Sequence, residues 1–208
     1  MTKTIAVLSG KGGTAKTTTT LGIGATIAGQ GRSVVIVDTD PQDAGSSSWW
    51  LESTDDIENL SYISASSTEL LQGASSVDDD VMIIDTAPRL NDDTLRAIAT
   101  ISDLVLIVSA PAPLDIAAAA QTVKTALATS TTPYMILLTR VDSRSIGEAY
   151  QAREELIEVG HPVAGVVIRS LAAVRRAPFD GAMPPDVDER HAQDLNTLVS
   201  ELHSKVGF

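Results

Sequence analysis

The stretch "LSGKGGTAKTTTT" at Leu8–Thr20 decides the fold. Apolar "TIAV" precedes it and helix-like "LGIGATIA" follows it. Inside it, "GKGGTAKT" at Gly10–Thr17 nearly satisfies the phosphate-loop pattern G-x-x-x-x-G-K-[ST]. Glycines at 10, 12 and 13 let the backbone turn tightly, so that successive N–H groups point at phosphate oxygens. The helix N-terminus behind them adds partial positive charge. Lys16 is placed to reach the β- and γ-phosphates, and the Thr17 hydroxyl to bind Mg²⁺. The candidate nucleotide-binding run is therefore Gly10, Lys11, Gly12, Gly13, Thr14, Ala15, Lys16, Thr17 and Thr18. Ala15 is the mismatch, standing where the pattern wants glycine. Its methyl is tolerable near helical backbone geometry and harmful if φ is positive. Lys11 is a second cation that the pattern does not require.

Two further strand ends carry carboxylates. "VVIVDTDPQ" ends on Asp38 and Asp40, and "VMIIDTAP" ends on Asp85. A carboxylate at the end of a buried strand facing a phosphate loop is where Mg²⁺ and its waters need an acceptor. Asp85 is expected on the metal through water, Asp38 in the same network of metal and lysine, and Asp40, one pleat further on, to orient an attacking water, with Gln42 a second candidate to contact that water or the partner chain.

Outward from the loop, short apolar runs alternate with helical patterns. The runs are 4–8, 34–37, 60–64, 81–84, 104–108, 134–138 and 163–168, with helices expected over 17–28, 91–100, 116–128 and 146–159. Several runs are continuously apolar, as in parallel strands covered on both faces. The alternation predicts an α/β fold, a doubly wound and mostly parallel sheet with helices on both faces. The whole of 1–208 reads as a single P-loop ATPase domain, with no preceding helix-turn-helix domain.

The 208 residues carry a net charge of −12. Such a chain repels nucleic acid and anionic membranes on average, so any such binding needs a local basic patch. Ten of the 15 cationic residues are arginine, so that patch would be arginine-built. There is no cysteine, which excludes disulfides, cysteine zinc sites and iron–sulfur clusters. No signal peptide and no run long enough to span a bilayer is visible, so the cytoplasm is the expected location.

These motifs resemble the ParA/MinD family of P-loop ATPases, the deviant Walker A group. "KGGTAKTT" matches its signature loop, "VDTDPQ" its first switch and "IIDTAP" its second. "PAPLDIAAAAQTV", "LLTRVDSRS" and "VVIRSLAAVRRAPFDG" follow in the family's order, so the resemblance covers essentially the whole chain. It implies ATP and Mg²⁺ as cofactors and a slow ATPase with Lys11, Lys16 and Asp40 in catalytic roles. It also implies that Lys11 crosses a dimer interface to touch phosphates held by a second subunit, which couples ATP binding to homodimerisation.

Within the family, the absence of cysteine argues against the nitrogenase iron protein and arsenite-pump branches, and the tyrosine-free tail against the tyrosine kinases. The last segment carries an apolar stripe, Leu195, Leu198, Val199, Leu202 and Val206, but little positive charge, so it is expected to pack in the core and not on a membrane. The short ParA/ParF-type partition ATPases remain. They imply nonspecific DNA binding on the nucleoid and a ParB-like or adaptor protein that stimulates hydrolysis. Arg169, Arg175 and Arg176 are the DNA-binding candidates, ahead of Arg140, Arg144 and Arg153. Plasmid or chromosome segregation is the first expectation for the cargo. The alternatives are a carboxysome-positioning ParA relative, a MinD-like membrane-cycling ATPase, and a metabolic enzyme like dethiobiotin synthetase. "TRVD" at 139–142 lies where related NTPases read the base, which makes Arg140 a binding candidate and Asp142 a rival guanine reader. The stretch after Val166 would close the pocket. Trp49 and Trp50 are expected to pack against the domain.

Overall fold

The computed structural model describes residues 1–40, 46–88 and 90–208. The Gln42 expectation lies outside the described residues. Six strands form one parallel sheet: β1 (Lys3–Leu8), β2 (Val34–Asp38), β3 (Leu60–Ser64), β4 (Val81–Asp85), β5 (Leu104–Ser109) and β6 (Tyr134–Leu138), in the order β3-β2-β4-β1-β5-β6. Helices α1 (Lys16–Ala28), α2 (Ser47–Glu52), α3 (Ser67–Gly73), α4 (Asp92–Ile101), α5 (Pro113–Ala126), α6 (Ile146–Glu158), α7 (Ala172–Arg176) and α8 (Glu189–Val206) follow in chain order.

The continuous apolar runs have a simple cause. Successive side chains on a strand point to opposite faces, and here both faces are covered. Ile5, Val7, Ile36, Ile83 and Leu106 pack towards α1 and α8, in one core. Ala6, Leu8, Val37, Ile84 and Ile107 pack into a second core with residues of α4, α5 and α6. The edge strand β3, "LSYIS", is mostly exposed, and Tyr62 and Ile63 are among its exposed residues.

The apolar stripe on α8 is buried along its length, at Leu195, Leu198, Val199, Leu202 and Val206, as expected from its pattern. That face is inside the fold, so this helix does not present it to a membrane. No helix among the described residues is long and apolar enough to cross one. Trp50 is buried, with its indole N–H donating to the Ala182 carbonyl at 3.0 Å, and Trp49 packs at the edge of the same core.

One strand expected from the sequence does not form. Residues 163–168 make no continuous ladder with β6: isolated bridges join Ile136 with Val163 and Val141 with Arg169, and the Ile168 N–H donates to the Leu138 carbonyl at 2.8 Å. Between them the chain bends at Gly165, whose N–H donates to Glu201 Oε2 on α8 at 2.9 Å instead of to the sheet. Val166 and Ile168 then drop into the α1–α8 core, which explains why the run reads as a strand.

Register sets up the site. Asp38 at the end of β2 is paired across the sheet with Asp85 at the end of β4, and Asp85 with Val7 of β1. The loop after β1 therefore lies over two adjacent carboxylates. The carboxyl ends of strands, where the chain departs to both sides of the sheet, are where open α/β sheets place ligands.

Candidate functional site

The loop from Ser9 to Lys16 curls over the strand ends and is held by its own polar groups. Thr14 Oγ1 donates to Ser9 Oγ at 2.7 Å, and Ser9 Oγ donates to the Lys11 carbonyl at 2.8 Å. From outside the loop, Thr139 Oγ1 donates to the Thr14 carbonyl at 2.7 Å, and an Arg140 guanidinium N–H donates to the Gly13 carbonyl. Gly13 has φ +74°, a conformation that suits glycine. Gly10 is required for a different reason. A Cβ there would lie 2.5 Å from the Ala118 carbonyl oxygen, so Gly10 is what lets α5 approach the loop.

Ala15 sits at φ 63°, ψ 32°, the left-handed region, as the residue before α1, with no side-chain cap. This is the unfavourable case for the sequence mismatch. The methyl costs about 1–2 kcal/mol in this conformation.

Under the loop lies a cavity of about 330 Å³ lined by Lys11, Gly12, Gly13, Thr14, Ala15, Lys16, Thr17, Thr18, Asp38, Asp40 and Asp85. It brings together the nucleotide-site candidates except Gly10, a loop residue packed against α5, and Arg140, which donates to the Gly13 carbonyl; the DNA candidates Arg169, Arg175 and Arg176 do not line it. Lys16 Nζ is 2.9 Å from Asp85 Oδ1, with the lysine side chain 14% exposed and the carboxylate 2%. Asp85 Oδ2 also accepts from Ser47 Oγ of α2. Asp38 accepts from the Ser48 N–H at 3.0 Å, the Ser48 hydroxyl at 2.6 Å and the Asp40 N–H at 2.9 Å. The loops after β2 and β4 are stitched together as well. Thr39 donates to the Asp85 carbonyl through both its N–H and its hydroxyl, and its Oγ1 accepts from the Ala87 N–H.

Ser47 and Ser48 are functional neighbours that sequence reasoning misses. Their signal is the "SSS" run following the first switch, which alone reads as loop. Lys11 stands apart from this buried floor. Its ammonium is 3.4 Å from Asp115 on the first turn of α5, and its side chain is 41% exposed.

The donor set fits a phosphate chain with a magnesium ion. Gly12 has open space where a Cβ would be, so the backbone there is accessible to a ligand. Among the described residues no cluster of three or more His, Asp or Glu is arranged to hold a metal by itself. Mg²⁺ keeps several waters and takes its remaining ligands from one or two protein oxygens plus phosphates. The Thr17 hydroxyl, Asp38 and Asp85 are suited to that shared arrangement.

A second cavity, of about 370 Å³, continues from the first and shares Gly13, Ala15 and Thr18 with it. Arg140, Arg169 and Arg175 line it. Asp142, the rival base reader, does not. Its carboxylate accepts from the Arg144 N–H and guanidinium, which hold its pKa down to about 2. Of the arginines weighed for DNA, Arg169 is paired with Asp194 at 3.4 Å, and Arg153 donates to the Ala164 carbonyl. Arg175 and Arg176 are exposed on the last turn of α7, with Arg175 donating to Ser170 Oγ at 3.0 Å.

A family model described as the CobQ/CobB/MinD/ParA nucleotide binding domain matches residues 5–184. The chain belongs to this family. It is 38% identical over 180 residues to the maintenance of carboxysome distribution protein A of Gloeobacter kilaueensis, covering 86% of this chain and 82% of that protein. The protein of the same name from Halothiobacillus neapolitanus is 28% identical over 211 residues, covering 96% and 95%. The fold is that of the septum site-determining protein MinD of Pyrococcus horikoshii, solved with Mg-ADP, at a TM-score of 0.79 and 21% identity over 97% of this chain and 96% of that one. The ParA/MinD resemblance thus holds. Both of these relatives carry the name of carboxysome distribution, an alternative that the motifs alone rank behind plasmid or chromosome segregation.

Proposed function

We propose that this chain is an ATP-driven positioning switch that dimerises on ATP and distributes a protein-shelled cargo of the carboxysome kind. The observation that carries the reading is the division of labour between two lysines of one loop. Lys16 is fixed on Asp85 inside the site, while Lys11 stands at the rim, nearly half exposed and paired with Asp115. A triphosphate carries more negative charge than one loop neutralises, so a cation lent by a second copy couples nucleotide binding to association.

In this reading Lys16 leaves Asp85 for the β- and γ-phosphates. The Thr17 hydroxyl would hold Mg²⁺, and Asp38 and Asp85 would accept hydrogen bonds from its waters; the ion would supply charge neutralisation for the phosphates. Asp40, lining the same cavity, orients the water that displaces ADP from the γ-phosphorus. Loss of the γ-phosphate removes what Lys11 binds and loosens the pair. An adaptor protein accelerates this step and links the dimer to its cargo. The exposed Arg175 and Arg176, with Arg169 behind them, hold the dimer on the nucleoid by nonspecific phosphate contacts.

The test is cellular and biochemical together. Purified protein with Mg-ATP should release phosphate slowly, and faster with its adaptor. Cells lacking the gene should cluster their shelled cargo instead of spacing it. Evenly spaced cargo together with plasmid loss would return the assignment to DNA partition.

A further inference from the structure

Four buried side-chain polar atoms without a hydrogen-bond partner gather in one place: Thr19 Oγ1, both ring nitrogens of His191, and Asp194 Oδ2. The three residues are 2%, 1% and 5% exposed. Each such orphan costs roughly 1–3 kcal/mol when nothing satisfies it, so a cluster of them marks a place where a polar partner is expected. Thr19 and His191 line the 370 Å³ cavity that opens off the phosphate loop. Asp194 stands behind it, paired with Arg169, which also lines the cavity.

The rest of the lining says what kind of partner would fit. Ile168, Leu171, Val174 and Leu195 give the cavity apolar walls. Apolar walls with a few convergent polar groups suit a flat heteroaromatic ring. The arginines offer donors and no acceptor. His191 supplies what they lack. Burial pushes its pKa down to about 4, with Arg169 assisting and Asp188 opposing, so the ring is neutral and keeps a free lone pair.

We infer that His191, on the final helix, is a specificity-determining residue whose ring nitrogen accepts a hydrogen bond from the exocyclic amine of a purine seated in this cavity. The inference rests on the reading of the phosphate loop as an ATP site and adds the group that selects adenine. It moves base recognition from the loop at 139–142 to α8, with Thr19 of α1 as a second polar contact.

The test compares ATP with ITP, in which an oxygen replaces the 6-amino group, by titration calorimetry on the full chain. Wild type should bind ATP roughly tenfold more tightly than ITP, the worth of one hydrogen bond. His191→Phe keeps an aromatic ring and removes both nitrogens; its ATP-to-ITP ratio should fall to about one. His191→Gln restores an acceptor and should recover the preference. Circular dichroism checks that each variant folds, and the wild-type comparison needs no variant at all. Equal affinity of wild type for both nucleotides, or an unchanged ratio in a folded His191→Phe, would overturn this inference and leave ATP binding standing. A wild type that binds neither nucleotide would overturn the ATP reading along with it.

Discussion

Lys16 and Lys11 belong to one loop and one signature, yet they live under opposite physical conditions. Lys16 is enclosed and its charge is matched at 2.9 Å by a carboxylate that is itself buried. Lys11 is nearly half exposed and leans on Asp115 at 3.4 Å, in contact with water. A buried pair is costly to break from one side, because the partner is left charged and poorly solvated. An exposed pair is worth little and is easily exchanged for a better one. The fold therefore fixes one cation on a buried carboxylate and leaves the other exposed and exchangeable.

The contrast is tested most severely by Lys16→Ala. It removes the phosphate cation and leaves Asp85 with hydroxyl partners alone, so nucleotide binding should disappear from calorimetry. Stability should fall by roughly 3 kcal/mol in denaturant unfolding. Retained ATP affinity would break the assignment of the site.

Acid probes the other enclosed region. His191 is neutral when folded, with its pKa lowered from 6.5 to about 4. The unfolded chain takes up a proton below 6.5 and the folded chain resists until about 4. Stability is therefore lost as pH falls through that window, by up to roughly 3 kcal/mol for this group. Burial raises the pKa of the neighbouring Asp194, which acts in the opposite sense. The clean readout is thus the difference between wild type and His191→Gln across pH 4–6.5, which should shrink on acidification. A constant difference would contradict a neutral buried ring.

Ala15→Gly addresses the strained residue between the two lysines. Relieving a left-handed alanine should stabilise the chain by about 1 kcal/mol in thermal unfolding, after the greater unfolded-state freedom of glycine is subtracted. Destabilisation would mean that the methyl makes a compensating contact.

Smallest of all should be the effect of Lys11→Ala on the isolated fold, within about 0.5 kcal/mol, because the Lys11–Asp115 pair is solvent-screened. A loss comparable with that of Lys16→Ala would erase the distinction between them.

Much of this is legible without the structure. Strands covered on both faces announce themselves as unbroken apolar runs, and the carboxylates at their ends, Asp38 and Asp85, follow from the pattern alone. Residues 163–168 show the limit. Their apolarity is real, but the segment bends at Gly165 and never forms a continuous ladder, while the Val166 and Ile168 side chains are buried with those of α1 and α8; a run of hydrophobic residues does not say which. Asp115 as the resting partner of Lys11, and Ser47 and Ser48 as partners of the two carboxylates, depend on loops meeting across the fold. His191 is invisible for a stronger reason. Its meaning lies in the hydrogen bonds its ring nitrogens lack, and a missing partner has no sequence signature. The positive φ of Ala15 is intermediate, since the mismatch is readable and its cost is not.

The central claim is that Lys11 serves the neighbour's nucleotide. Size-exclusion light scattering with a nonhydrolysable ATP analogue and Mg²⁺ tests it most directly. Wild type should run at twice its 21.8 kDa monomer mass, and Lys11→Ala should bind the analogue yet stay at 21.8 kDa. A wild type that remains monomeric with analogue bound, or a Lys11→Ala variant that pairs equally well, would contradict the account.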